Sequence, residues 1–326
     1  MSPQRQGVAM MIDKIRVSYG SAVALGLVRG ITSVAPTALY LLLQGDGCRG
    51  RCAFCPQSTG DPAHISRVEW LKFTLADVAG RAGAGVGIKR VCVQCTDEPA
   101  VRRALPDVVS RLRHLGLPVS VSTPPLTRGE LLELRGAGAE IVTIPLDCAD
   151  KGLCARIKGR EAGEIMEGLR QAVDVFGAGM VGTHIIVGLG ESEESVVKAI
   201  IELAEMGVVP SLFAFTPVRG TPMYGWSRPS IASYRRLQLA RHLIVEGGVR
   251  GGFEFGNGGT IARIRGAALR DALSDGGIFI VRGCPGCNRP YYNERASGPL
   301  YNFPARPEEE ALRRMAGEII GSLAGD

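Results

Sequence analysis

Hydrophobic and polar positions follow two alternating periods along most of this chain. Short apolar or β-branched runs at 38–44, 88–94, 118–123, 140–146, 182–188 and 211–217 read as strands. Between them, apolar residues recur at helical spacing near 100–115, 127–137, 162–176, 192–206 and 230–246. Ser192, with Glu194 and Ser195 just after it, gives one of these helices a capped, acidic first turn, and Gly207 supplies its stop. Strand and helix in strict alternation predict right-handed βαβ units on a parallel sheet, and six such units make a partial TIM-type (β/α)6 barrel. Active groups of such a barrel stand at the C-terminal ends of its strands.

The pattern divides the chain into a helical N-terminal extension (1–36), the partial barrel (37–250) and a C-terminal extension (251–326) that carries cysteines and ends in a helix at about 307–323. The run at 21–30, SAVALGLVRG, reads as a helix and not a signal peptide, because glycine interrupts it and no small-residue cleavage site follows. No apolar run approaches the ~20 residues of a membrane span. With 45% hydrophobic and 21% charged residues, the composition is that of a soluble α/β protein, expected in the cytoplasm. The net charge of +6 is spread along the chain, which favours an acidic partner and predicts neither nucleic acid nor membrane.

Nine cysteines are too few for a disulfide scaffold, odd in number and clustered, so metal or redox chemistry is expected. Three lie in the loop after the first barrel strand, GDGCRGRCAFCPQS, at Cys48, Cys52 and Cys55. A [4Fe-4S] cluster takes one thiolate per iron, so three thiolates leave one iron open to a small molecule. Gly45, Gly47 and Gly50 allow the tight backbone that wrapping a cluster needs. Closed structural zinc sites want four ligands, a poorer fit to three.

This loop, its place after the first strand, Phe54 before the last cysteine and the succeeding βα units resemble the radical S-adenosylmethionine (SAM) superfamily. The resemblance implies that the open iron binds SAM and that electron transfer cleaves it to a 5′-deoxyadenosyl radical. It also implies cofactor contacts. Asp97 and Glu98, in CTDEP at the end of the second strand, stand where the family holds the SAM amino group, although the family's Gly-Gly-Glu is absent. Asp147, in IPLDCADKGLCARIKG, resembles the ribose ligand of biotin synthase and its relatives. HIIVGLGE, with His184, Gly188 and Glu191, resembles the fifth-strand adenine motif, and Thr216 and Pro217 in FTPVRGTPM match the sixth.

The other cysteines form two C-x2-C pairs, Cys92 with Cys95 and Cys284 with Cys287, a spacing typical of metal ligation. Three readings are open: the tail pair joins Cys92 or Cys95 in an auxiliary iron–sulfur cluster, all four bind zinc, or some are inert core thiols, the last suiting Cys148 and Cys154. The tail CPGCNRPYYNERASGPLYNFP, with KIRVSYGSAVALGL near the start, resembles one component of the two-protein lipoyl synthases. That resemblance implies sulfur insertion at C6 or C8 of an octanoyl chain on a lipoyl-carrier domain, with the auxiliary cluster as sulfur source. It implies as partners a second radical SAM component and an electron donor such as ferredoxin. Asn293, Glu294 and Ser297 are tail positions that could contact the acyl-bearing peptide or complete the auxiliary site. Biotin synthase-like insertion into dethiobiotin, a single-cluster radical enzyme, and a non-enzymatic iron–sulfur scaffold are the alternatives.

Overall fold

The computed structural model describes residues 13–82, 87–265, 269–274, 276–294 and 297–324. Its strands in chain order are β1 (Lys14–Ser18), β2 (Ala38–Leu43), β3 (His64–Ile65), β4 (Val68–Thr74), β5 (Arg90–Cys95), β6 (Val119–Ser122), β7 (Ala139–Thr143), β8 (Val181–Val187), β9 (Val208–Ala214), β10 (Phe253–Phe255) and β11 (Ile261–Ile264). Nine of them form one sheet in the order β3-β4-β1-β2-β5-β6-β7-β8-β9. From β2 through β5, β6, β7 and β8 to β9 every pairing is parallel, so this part curls into the expected half-barrel.

Strand β2 shows why the sheet must be covered on both sides. All six residues of ALYLLL are buried. Leu39, Leu41 and Leu43 pack into the helix-covered outer core, while Ala38, Tyr40 and Leu42 point with Trp70 and Cys92 into the barrel interior. A strand buried on both faces reads as a continuous apolar run, and each such leucine contributes about 1.5–3 kcal/mol. Strand β8 alternates instead. Val181, Thr183, Ile185 and Val187 are buried outward, whereas Gly182, His184 and Ile186 are only partly covered because open space lies inside the barrel.

The expected helices appear at Pro99–Arg113, Arg128–Ala137, Ala162–Phe176, Glu193–Glu205, Ile231–Val245 and Glu309–Ala324. Ser192 caps the fourth of these by accepting the Ser195 N–H. The N-terminal extension departs from the expected helix. Residues 1–12 lie outside the described residues, and beyond them KIRVS forms β1, which pairs antiparallel with β2 and β4 before a short helix, Tyr19–Ala24. A five-residue alternating strand is too short to stand out by periodicity. The helix Lys151–Lys158 also goes beyond the sequence reading; Asp150 caps it through the Gly152 and Leu153 N–H groups. Strand β7 stops at Thr143, three residues before the expected end, since the chain bends at Pro145 to bring Asp147 beside Ile185.

The C-terminal extension spans the open seam of the half-barrel. On the β2 side, Asn288 accepts the Thr37 N–H, Pro285 accepts from Arg90, and Tyr40 meets the tail. On the β9 side, Thr216 donates to the Asn293 carbonyl and Asn302 to the Leu212 carbonyl. Arg235, buried in the helix Ile231–Val245, donates to the Leu300 and Tyr301 carbonyls. Among the described residues no helix is long and apolar enough to cross a membrane.

Candidate active site

The C-terminal ends of all six parallel strands converge on a cavity of about 270 Å³. Cys48, Cys52 and Cys55 line it from the loop after β2. Asp97 lies beyond β5, Thr123 beyond β6, Asp147 beyond β7, Ile186 within β8 and Thr216 beyond β9. These are the ends at which barrels of this kind carry their active groups.

The cysteine loop is shaped by its neighbours. The Glu98 carboxylate accepts the Gly45 and Gly47 N–H groups at 3.0 and 3.1 Å and the Thr96 hydroxyl at 2.5 Å. Glu98 therefore anchors the loop from behind and does not line the cavity, a departure from the cofactor contact expected of it. A Cβ on Gly45 would lie 2.5 Å from that carboxylate, so a larger residue would have to displace Glu98 from these N–H groups. Gly50 sits between two sulfurs: a Cβ would stand 3.3 Å from Cys48 Sγ and 3.9 Å from Cys52 Sγ. The Gly50 and Asp97 N–H groups both point at Cys48 Sγ, at 3.4 and 3.5 Å.

Burial pushes the Cys52 thiol up to about 12, despite the nearby Lys158 ammonium, and the Cys55 thiol up to about 11. Thiols this reluctant to ionise become thiolates when a cationic centre takes the place of the proton, as metal ligation does. Among the described residues no three His, Cys, Asp or Glu side chains stand close enough to share one metal ion. A multi-iron cluster gives each thiolate its own iron and spaces the sulfurs apart. Three thiols around a glycine cradle, with no fourth, fit such a cluster.

Beyond the sulfurs, charge is arranged in pairs. Asp97 is held by Arg102 at 3.0 Å and Arg160 at 2.8 Å. Asp147, at a left-handed φ of 61°, is fixed by its N–H to the His184 carbonyl and by the Ile186 N–H to its own carbonyl. Its carboxylate meets Lys158 Nζ at 2.6 Å, and that ammonium also donates to the Pro145 carbonyl. Burial disfavours the Lys158 charge, but Asp147 and Cys52 more than offset it and raise its pKa. Periodicity gave no sign of Lys158, because the short helix that carries it was not legible. Gln94 Nε2 and Thr123 Oγ1 are buried without a hydrogen-bond partner, and both residues line the cavity. Such orphaned groups await a polar ligand.

Phe54, His184 and Thr216 line the cavity, whereas Gly188, Glu191 and Pro217 do not. Glu191 accepts the Gly188 and Leu189 N–H groups at 2.7 and 2.9 Å and so ties the turn after β8. Gly188 has φ 103°, and a Cβ there would stand 2.8 Å from Pro229. Burial, with Arg289 and Lys158 nearby, holds the His184 imidazole well below its usual range, so it is neutral at pH 7.

A second cavity of about 200 Å³ lies deeper in the barrel, lined by Cys92, Cys284 and Cys287. Ser122, His184, Phe213 and Arg289 line both cavities and form the wall between them. The Arg289 guanidinium stacks on Tyr292 at 4.7 Å, Phe213 at 5.1 Å and Tyr40 at 5.6 Å. Burial disfavours its charge, but Tyr292 and the thiols of Cys92 and Cys287 outweigh this and raise its pKa. Burial pushes the Cys92 thiol up to about 12.

The pair Cys92 and Cys95 does not act as a chelate. Residues three apart on a strand point to opposite faces. Cys92 faces the interior beside Tyr40, while Cys95, at the strand end, packs against the outer core and reaches only the rim of the first cavity. Cys92 lines the second cavity with Cys284 and Cys287, and Cys95 does not. Cys148 and Cys154 are buried and line neither cavity. In the tail, Asn293 lines the first cavity, Glu294 accepts the Asn293 and Asn302 N–H groups, and Ser297 is exposed.

Comparison with known proteins agrees with this geometry. Residues 43–203 match the family model described as the radical SAM superfamily. Biotin synthase of Neorickettsia sennetsu is 24% identical over 193 residues, covering 57% of this chain and 58% of that protein. For Streptomyces coelicolor biotin synthase the values are 27% over 227 residues, 66% and 55%, and for that of Bordetella parapertussis 26% over 282 residues, 84% and 77%. The chain thus spans little more than half the length of the first two relatives. Among solved structures, methylornithine synthase superposes with a TM-score of 0.50 at 18% identity, covering 74% of this chain and 70% of that one. The [FeFe]-hydrogenase maturase HydG gives 0.51 at 16%, with 69% and 54%. These structures share the fold. Residues 43–203 thus belong to the radical SAM superfamily.

Proposed function

We propose that this chain is a radical SAM sulfur-insertion enzyme, and within that class one component of a two-protein lipoyl synthase. Its substrate would be an octanoyl chain on a protein carrier domain, thiolated at C6 or C8. The observation that carries this reading is the second thiol set. Cys92, Cys284 and Cys287 line a cavity divided from the first by one layer of side chains, so a radical centre and a sulfur source could be neighbours.

When bound, the [4Fe-4S] cluster and SAM of this superfamily supply a 5′-deoxyadenosyl radical that takes hydrogen from an unactivated carbon. Cys48, Cys52 and Cys55 would hold that cluster as thiolates. Lys158 holds the Asp147 carboxylate in place as a hydrogen-bond acceptor facing the cavity. Gln94 and Thr123 offer the polar contacts they lack in the protein. Phe54, Ile65, Ile186 and Phe213 give the rest of the lining the apolar character a saturated chain requires. The tail crosses the barrel seam and supplies part of the lining of both cavities. Cys92, Cys284 and Cys287 would hold an auxiliary iron–sulfur cluster. Arg49 and Arg51, exposed at the mouth, suit an acidic carrier domain. A second radical SAM component would add the other sulfur, and a ferredoxin-like donor would supply electrons.

Biotin synthase-like insertion is the second reading, favoured by the relatives matched. Against it, the resemblance to biotin synthase implies auxiliary cysteines on barrel strands, whereas the strand positions facing the second cavity here include Ser120, Thr143 and Gly182, and two of the three thiols come from the tail.

The test is iron and acid-labile sulfide content on anaerobically reconstituted protein, beside assays of 5′-deoxyadenosine and of thiolated octanoyl-lysyl peptide. Wild type should hold about eight irons and the Cys284→Ser/Cys287→Ser variant about four, as two [4Fe-4S] clusters give. The variant should still form deoxyadenosine but no thiolated peptide. About four irons in both proteins would remove the sulfur source and leave a single-cluster radical enzyme. Thiolation of dethiobiotin and not of the octanoyl peptide would decide for the second reading.

A further inference from the structure

Two hydroxyl groups flank the tail thiols, and the direction of their hydrogen bonds can be read from the arginines around them. Tyr40, buried on β2, accepts the Arg289 backbone N–H at 2.7 Å. Its oxygen stands 3.1 Å from Cys287 Sγ. With a lone pair occupied by Arg289, the phenol proton is free to point at the sulfur. Ser120, buried on β6, repeats the arrangement. Its oxygen accepts from Arg90 Nη1 at 2.8 Å, and it lines the second cavity together with Cys284. Arg90 is held in turn by Glu140 at 2.5 Å and by the Pro285 carbonyl at 3.1 Å, one residue from Cys284.

We infer that Tyr40 and Ser120 are positioning residues that donate hydrogen bonds to the Cys287 and Cys284 sulfurs and stabilise negative charge on them. The inference rests on the proposed second iron–sulfur site. Donors to a ligating sulfur withdraw electron density from it and make the cluster easier to reduce, and outer-shell donors of this kind also fix ligand orientation. The two devices come from different strands and contact different cysteines, so each acts independently.

The experiment is a redox titration of reconstituted protein followed by electron paramagnetic resonance, comparing wild type with Tyr40→Phe, Ser120→Ala and the double variant. Tyr40→Phe keeps the ring on which Arg289 stacks and removes only the hydroxyl. Each single variant should move the potential of the second cluster negative, the double variant by about the sum, while the cluster on Cys48, Cys52 and Cys55 stays unmoved. Electron–nuclear double resonance in H2O and D2O should show exchangeable protons coupled to the reduced second cluster in wild type, one fewer in each variant. Eight irons with unchanged potentials overturn the inference. So does a wild-type spectrum with no exchangeable coupling, which needs no variant to fold. A wild type with only about four irons overturns the proposed second site itself, a failure distinct from the other two.

Discussion

The two thiol sets of this protein are built in opposite ways. Cys48, Cys52 and Cys55 lie within one loop, only partly buried, and the neighbours that shape it, Glu98 and Asp97, follow directly on the adjacent strand. Cys92 is fully buried inside the barrel and meets Cys284 and Cys287 only because the tail crosses the seam. One site is set by local chain geometry, and the other exists only once the whole domain has folded. A local site tolerates loss of the tail, whereas a distributed one fails whenever the closure does.

The sharpest break of this comparison is a pair of substitutions. Cys52→Ser should abolish deoxyadenosine formation and retain the second cluster, while Cys92→Ser should do the reverse; iron counts of about four in each, with complementary activities, are expected. If Cys52→Ser emptied both sites, their independence would be refuted. A smaller effect is expected from Lys158→Met, which leaves the Asp147 carboxylate buried without its partner. Stability should fall by about 3–5 kcal/mol, the cost of breaking a buried ion pair, and SAM affinity should weaken. Urea unfolding and equilibrium binding measure the two, and stability equal to wild type would show that Asp147 finds another partner. The smallest effect belongs to Cys95→Ala. Because Cys95 faces away from the tail thiols, iron content and thiolated product should match wild type, and loss of the second cluster in this variant would overturn the assignment to Cys92.

The parallel strands and the major helices were legible because their apolar periods are long and local, and so was the three-cysteine loop. Strand β1 and the helix that brings Lys158 were not, since each is too short for its period to rise above the surrounding sequence. Glu98 and Glu191 read as cofactor ligands, yet their carboxylates are taken up by backbone N–H groups of nearby turns. An acidic residue beside a glycine-rich turn serves either purpose, and only coordinates separate them. Cys92 and Cys95 teach the same lesson: C-x2-C suggests a chelate in a loop, but on a strand the pleat sends the two thiols to opposite sides.

Local pattern by itself determined the parallel half-barrel and the loop that sets three thiols at its strand ends. These depend on residues close in sequence, where period and spacing carry the information. The tertiary structure alone decided that Lys158 pairs with Asp147, that Cys92 joins Cys284 and Cys287, and that a single wall of side chains divides the two cavities. Those arrangements depend on which strand faces and chain segments meet after the sheet has curled and the tail has crossed its seam.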